Sequence, residues 1–200
     1  SGVLLMVDYC RNMSPRYTFD KVEVKCEPMT IRMENDVRIT LTGTADRVRV
    51  QPLTTTSSDW WKETELAFGI IDVKSGKRVI SSEGKIAVDK HVAQLGTYEL
   101  IQLLAGNTLG YAMTLPAEII ALPTSGSHTK VASESVEAPS RILLGETIDG
   151  KHQRGLLDVA AAYEKNDLWP GNVRSALCSQ KFCPIWAKCW WRGHQEATKE

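Results

Sequence analysis

Leu66-Ala67-Phe68-Gly69-Ile70-Ile71-Asp72-Val73-Lys74 is the stretch on which the fold turns. Its centre, Phe68 to Ile71, is more continuously apolar than an alternating strand, the pattern of a strand covered on both faces. The apolar run ends in Asp-x-Lys. Side chains alternate along a strand, so Asp72 and Lys74 project from one face as neighbours. Ser75-Gly76-Lys77 then reads as a turn.

Upstream, Lys21-Val22-Glu23-Val24-Lys25 and Val37-Arg38-Ile39-Thr40-Leu41 both alternate with period two, and Asn35-Asp36 between them suits a hairpin turn. The second strand continues through Gly43 and Asp46 to Val50, and the Pro-, Thr- and Ser-rich residues 51–60 form a loop. Residues 3–12 read as the end of a helix with Val3, Leu4, Met6 and Val7 on its apolar side, broken by Ser14-Pro15. Downstream, Val92, Leu95, Tyr98, Leu100 and Leu103 fall near helical spacing between Asp89 and Leu104, with Gly106-Asn107 as the stop. Two further strands are expected around Leu109–Leu115 and Glu118–Leu122, a polar loop over 123–140, and a helix over Arg154–Glu164 closed by Trp169-Pro170-Gly171. This order predicts an α/β fold, a mixed central sheet flanked by helices, over residues 1–168, with a small cysteine- and tryptophan-rich segment over 169–200.

The chain has 200 residues, enough for one sizeable domain with a proper core. Its 24 basic and 24 acidic residues balance, so net charge neither supports nor excludes a nucleic-acid partner. Apolar runs are short and interrupted, which predicts no membrane span. Val3–Val7 lacks the basic leader of a signal peptide, and Ser1-Gly2 reads as a cloning remnant with further residues expected ahead of it. Five cysteines, an odd number without an export signal, argue against a disulfide framework, and a cytoplasmic location is expected.

Chemistry concentrates at the strand ends. Asp46 lies in Gly43-Thr44-Ala45-Asp46-Arg47, and pairing of the second and third strands brings it toward Asp72. Two carboxylates with a lysine suit a hard divalent cation, Mg²⁺ or Mn²⁺, that polarises a phosphodiester and activates a water which the lysine orients. Each piece alone has a plain alternative. Asp-x-Lys on a strand is commonly a solvated ion pair, and Gly-x-x-Asp is common in turns. Gln94 and Tyr98, four apart on one helix face, are open to a structural role with Tyr98 capping the core. His91, three residues earlier, reads as a helix-surface histidine.

In this order, Gly43-x-x-Asp46-Arg47, Asp72-x-Lys74-Ser75 and Gln94-x-x-x-Tyr98 resemble the motif series of RecB-like nucleases of the PD-(D/E)XK superfamily, over about residues 22–122. That family includes phage exonucleases and CRISPR-associated nucleases. The resemblance implies a restriction-endonuclease-like core and a metal-dependent DNA nuclease, an exonuclease acting on single-stranded or duplex ends in replication, recombination or repair, in a bacterial or phage-infected cell. It implies metal ligation by Asp46, Asp72 and the backbone carbonyl of Val73, catalysis by Lys74, and DNA contact or site support by Gln94 and Tyr98. Glu23 is a further candidate, and recombination or replication proteins are implied partners. One departure stands out: many relatives carry a histidine, or another ligand, on an N-terminal helix well before the Gly-x-x-Asp motif, whereas His91 is the first histidine here. The alternative is the same fold without catalysis, a DNA-end-binding or assembly module.

Cys178, Cys183 and Cys189 crowd into twelve residues, and the cluster resembles the C-terminal three-cysteine segment of many such nucleases. The resemblance implies a [4Fe–4S] cluster with one upstream cysteine, for which Cys10 is the best visible choice; a zinc site is the rival, and three free thiols are the plain alternative. Trp169, Trp186, Trp190 and Trp191, interleaved with Lys181, Lys188 and Arg192, suit either a stacking platform for single-stranded DNA or, as preferred here, the packing of a small metal-stapled subdomain.

Overall fold

Three antiparallel hairpin partners, one parallel neighbour and an antiparallel edge build the main sheet. A computed structural model describes residues 2–52, 66–77, 79–81, 83–104, 109, 112–124, 130–166, 180–181 and 186–188. The sheet has the order β1-β2-β3-β4-β5, with β1 Thr18–Arg32, β2 Arg38–Pro52, β3 Leu66–Gly76, β4 Ala117–Pro123 and β5 Ala132–Val136. β1–β2, β2–β3 and β4–β5 pair antiparallel, and β3–β4 pair parallel. A parallel pair needs a crossover, which α2 (Val92–Leu104) supplies. The remaining elements are α1 (Gly2–Asp8), which runs on as turns Tyr9–Met13 and Ser14–Arg16, a helical turn Val88–Lys90 before α2, then α3 (Arg141–Leu144), the hairpin β6 (Gly145–Ile148) and β7 (Lys151–Arg154), α4 (Leu156–Lys165) and a last turn Trp186–Lys188. The chain is thus a mixed α/β protein with a five-stranded mixed sheet flanked by helices. Among the described residues, no helix is long and apolar enough to cross a membrane.

Each face of the sheet has its own apolar cluster. On one, Val48, Phe68, Ile70, Ile119 and Ala121 pack with Leu95, Leu100 and Ile101 of α2 and with Leu143 and Leu157 of α3 and α4. On the other, Ile71, Val73, Ile120 and Leu122 pack with Tyr9, Met13, Tyr17 and Phe19. The continuous apolar run of β3 therefore serves both faces, as its sequence requires. Each fully buried Ile or Leu contributes roughly 1.5–3 kcal/mol of transfer free energy. α2 also approaches α3 backbone to backbone, because Gly96 lies directly on the Pro139 carbonyl, where any Cβ would collide.

β2 changes phase midway. Ile39, Leu41 and Ala45 face the α2 side at odd positions, but beyond Asp46 the inward residue is Val48 and Arg47 points to the opposite face, over the Tyr9 and Phe19 rings. The β1 register skips the pair Glu23/Asp46, and Glu23 has φ 52°. A left-handed conformation at a non-glycine residue costs on the order of 1–3 kcal/mol, and here it accompanies the phase change that frees Asp46 from the ladder.

Several sequence expectations need correction. The segment expected as a strand at Leu109–Leu115 has no strand among its described residues. The amides of Thr114 and Leu115 both donate to the Phe68 carbonyl at 2.8 Å, so the chain crosses the end of β3 instead of laddering with it. The polar loop expected over 123–140 contains β5, whose Ser133, Glu134 and Ser135 disguise an edge strand. The β6–β7 hairpin was not anticipated either. α1 forms where helix was expected, but its apolar side is open: Val3 and Leu4 are 78% and 75% exposed, and no residue of α1 is buried. Residues 169–179 and the Gly106-Asn107 stop lie outside the described residues.

Candidate active site

Asp72 and Lys74 project from β3 toward α2, as strand alternation requires, and the α2 residues facing them are Gln94 and Tyr98. The Lys74 ammonium lies 3.0 Å from Oδ1 and 2.8 Å from Oδ2 of Asp72, and donates to Gln94 Oε1 at 2.9 Å. Gln94 Nε2 in turn donates to the Tyr98 hydroxyl at 2.7 Å. One helix turn separates Gln94 from Tyr98, so a single stripe of α2 completes the chain Asp72–Lys74–Gln94–Tyr98.

Asp46 joins from β2. The β2–β3 ladder ends at Arg47↔Ile71, one pair short of Asp46 and Asp72. Beyond that point the Asp46 carboxylate accepts the Val73 amide at 3.1 Å, standing in for the backbone acceptor of a continued ladder. Within a strand a residue's N–H and C=O leave from the same edge, so the Val73 carbonyl also faces Asp46. The structure thus brings together Asp46, Asp72, the Val73 backbone, Lys74, Gln94 and Tyr98.

The electrostatics are undercompensated. Asp72 is fully buried, and burial pushes its carboxyl above the usual range, opposed by Lys74 and reinforced by the neighbouring Asp46. Among the described residues, Lys74 is the one cation in ion-pair contact with either carboxylate. It approaches Oδ2 closely, yet that oxygen has no hydrogen-bond donor among the described residues; the alignment satisfies Oδ1 instead. Two carboxylates, one ammonium and an oxygen without a donor fit a further hard cation bound through oxygens. The acidic set is small: no group of three or more His, Cys, Asp and Glu side chains arranged for a metal occurs among the described residues. A cation here would need the Val73 carbonyl and water to complete its shell.

The other candidates divide. Glu23 is exposed, with a left-handed backbone conformation opposite Asp46, and no contact joins its side chain to the site among the described residues. His91 is partly buried at the start of α2; burial and then the charge of Lys74 hold its pKa below the usual histidine value. Arg47 faces away from the site. Its guanidinium donates to the Tyr9 hydroxyl on the far side of the sheet. Cys10 is exposed on the turn after α1, whereas Cys178, Cys183 and Cys189 lie outside the described residues, as do Trp169, Trp190, Trp191 and Arg192. Two clefts, of about 240 Å³ beside His152, Arg154 and Asp158 and about 110 Å³ beside Arg16, Tyr17 and Arg49, lie elsewhere and include none of the candidate site residues.

Sequence reasoning missed a second buried polar cluster on the far face. Glu118 of β4 accepts from Arg49 at 2.8 Å and from the Tyr17 hydroxyl, while Arg49 also donates to the Pro116 carbonyl at 2.8 Å. Burial, and then the Glu118 bond, raise the Tyr17 pKa above 10.0. The chain matches no family model, and no curated protein matches it either.

Proposed function

We propose that the protein is a metal-dependent DNA nuclease with a PD-(D/E)XK-type centre of the RecB-like kind, acting as an exonuclease on DNA ends. The observation that carries this reading is the buried carboxylate of Asp72 with a second, partly exposed carboxylate, Asp46, beside it and Lys74 as the one ammonium between them. A purely structural ion pair has no reason to place a second carboxylate against the first.

In this reading Asp46, Asp72 and the Val73 carbonyl hold Mg²⁺ or Mn²⁺, which polarises the scissile phosphodiester and lowers the pKa of a bound water. Lys74 orients the attacking water or offsets the charge that develops on the phosphate. Gln94 holds the Lys74 ammonium at its working position, and the burial of Asp72 shields these charges from bulk water. Cys178, Cys183 and Cys189, with Cys10 as fourth thiolate, are assigned to a [4Fe–4S] cluster or a zinc ion; iron and zinc content of the purified protein decides between them.

Digestion of end-labelled DNA with Mg²⁺ or Mn²⁺, against EDTA and Lys74→Ala controls, tests the reading. The alternative reading is the same fold without catalysis, a silent DNA-end clamp. DNA binding without cleavage by the metal-loaded protein is the result that selects it.

A further inference from the structure

Gly43 and Tyr98 make a contact that backbone geometry does not require. Gly43 lies in β2 opposite Cys26 of β1, in a conformation open to any residue. What is missing there is room. A methyl group at position 43 would overlap Cε1 of Tyr98 and lie 3.0 Å from Cδ1. The ring cannot swing aside freely, because Tyr98 is 7% exposed within the α2-side core and its hydroxyl is bonded to Gln94.

Lys74 decides which way the Gln94 amide faces, and the Tyr98 hydroxyl, accepting from the other end of the amide, holds that side chain in place. With Nε2 donating to Tyr98, Oε1 is turned to the Lys74 ammonium; the flipped amide would set an NH₂ group against a cation. We propose that Gly43 is a seat for the Tyr98 ring, and that the seated tyrosine is a positioning residue that fixes Lys74 through Gln94 and does not touch the substrate. The placement of Lys74 stands on geometry alone, while its consequence for catalysis rests on the nuclease reading above. Asp46 follows Gly43 by three residues, so one short segment of β2 supplies both a carboxylate of the site and the seat that aligns its lysine.

The test reads Lys74 directly. The full-length protein and its Tyr98→Phe and Gly43→Ala variants are labelled with an amine-reactive acylating reagent, and labelling at each lysine is measured by mass spectrometry. Tyr98→Phe keeps the ring and removes the hydroxyl; Gly43→Ala keeps the hydroxyl and unseats the ring. Both are expected to raise labelling of Lys74 about 3-fold, the scale of one lost hydrogen bond, with the exposed Lys21 and Lys25 unchanged. On DNA, kcat is expected to fall about 10-fold at constant KM, with no further loss when Tyr98→Phe is added to Lys74→Ala. Unchanged Lys74 labelling in a folded Tyr98→Phe variant overturns the proposal, as does a rise in KM at constant kcat, the mark of a substrate contact. If Gly43→Ala does not fold, Tyr98→Phe alone decides. If the wild-type protein cleaves nothing, the nuclease reading falls, and the labelling experiment still decides the seat.

Discussion

Asp72 and Glu118 are buried carboxylates on neighbouring strands, and they lie on opposite faces of the sheet. Both Glu118 oxygens have donors: Arg49 meets one and Tyr17 the other, and Arg49 is bonded onward to the Pro116 carbonyl, with its Nε left without an acceptor among the described residues. Asp72 is served less well. Its one ammonium is shared with Gln94, a second carboxylate stands beside it, and Oδ2 meets only that ammonium, close but poorly aligned. A buried acid whose bonds close within the protein is positioned to hold strands together, whereas one left short of positive charge is positioned to take a ligand that brings it.

The contrast breaks most sharply on activity. Lys74→Ala or Asp72→Asn is expected to lower cleavage at least about 100-fold, as for loss of a group that stabilises developing charge, with the folded structure retained by circular dichroism. Glu118→Ala should do the reverse. Leaving Arg49 buried without its partner is expected to cost about 3 kcal/mol in urea unfolding, with cleavage per folded molecule within about 3-fold of wild type. Equal loss of activity in both variants would erase the distinction between the two faces.

Metal protection sharpens it next. Mn²⁺ at about ten times its dissociation constant is expected to stabilise the wild type by roughly 1.4 kcal/mol, seen as a rise in Tm. Asp72→Asn should lose the rise and Glu118→Gln should keep it. The smallest effect is on pH. Asp72 holds its proton above the ordinary value of 3.8, so between 3.8 and its own raised pKa the folded state binds more protons than the unfolded state. Stability of the metal-free protein from this group is therefore full below 3.8 and is lost as the pH rises through the raised pKa. Urea titrations in EDTA across the acid range should show this fall in the wild type and a flatter profile in Asp72→Asn.

The α2-side site was largely legible in the sequence because its spacings are local. Period two places Asp72 and Lys74 on one face, and a spacing of four places Gln94 and Tyr98 on one stripe. Asp46 was legible as a neighbour of Asp72. Its escape from the ladder was not, since that depends on the phase change in β2 and the left-handed Glu23 opposite. The Glu118 cluster was illegible because its partners, Arg49 of β2 and Tyr17 just before β1, are remote in sequence and nothing local marks them. Two fold elements failed for different reasons. β5 carries mostly polar residues, as an edge strand can, so it read as loop. The β6–β7 hairpin did carry a signal, Asp149-Gly150, with φ 50° and 72° in the turn, but its flanks of Glu146-Thr147 and Lys151–Arg154 lack the apolar alternation that would have exposed it.

The deciding measurement is digestion of end-labelled single-stranded and duplex DNA by the full-length protein in Mg²⁺ or Mn²⁺, beside an EDTA control and Lys74→Ala. A ladder of products that needs the metal and disappears with Lys74→Ala is expected. Intact DNA in every lane with the metal-loaded wild type, or cleavage that survives Lys74→Ala unchanged, contradicts the assignment of Asp46, Asp72 and Lys74 as a nuclease centre.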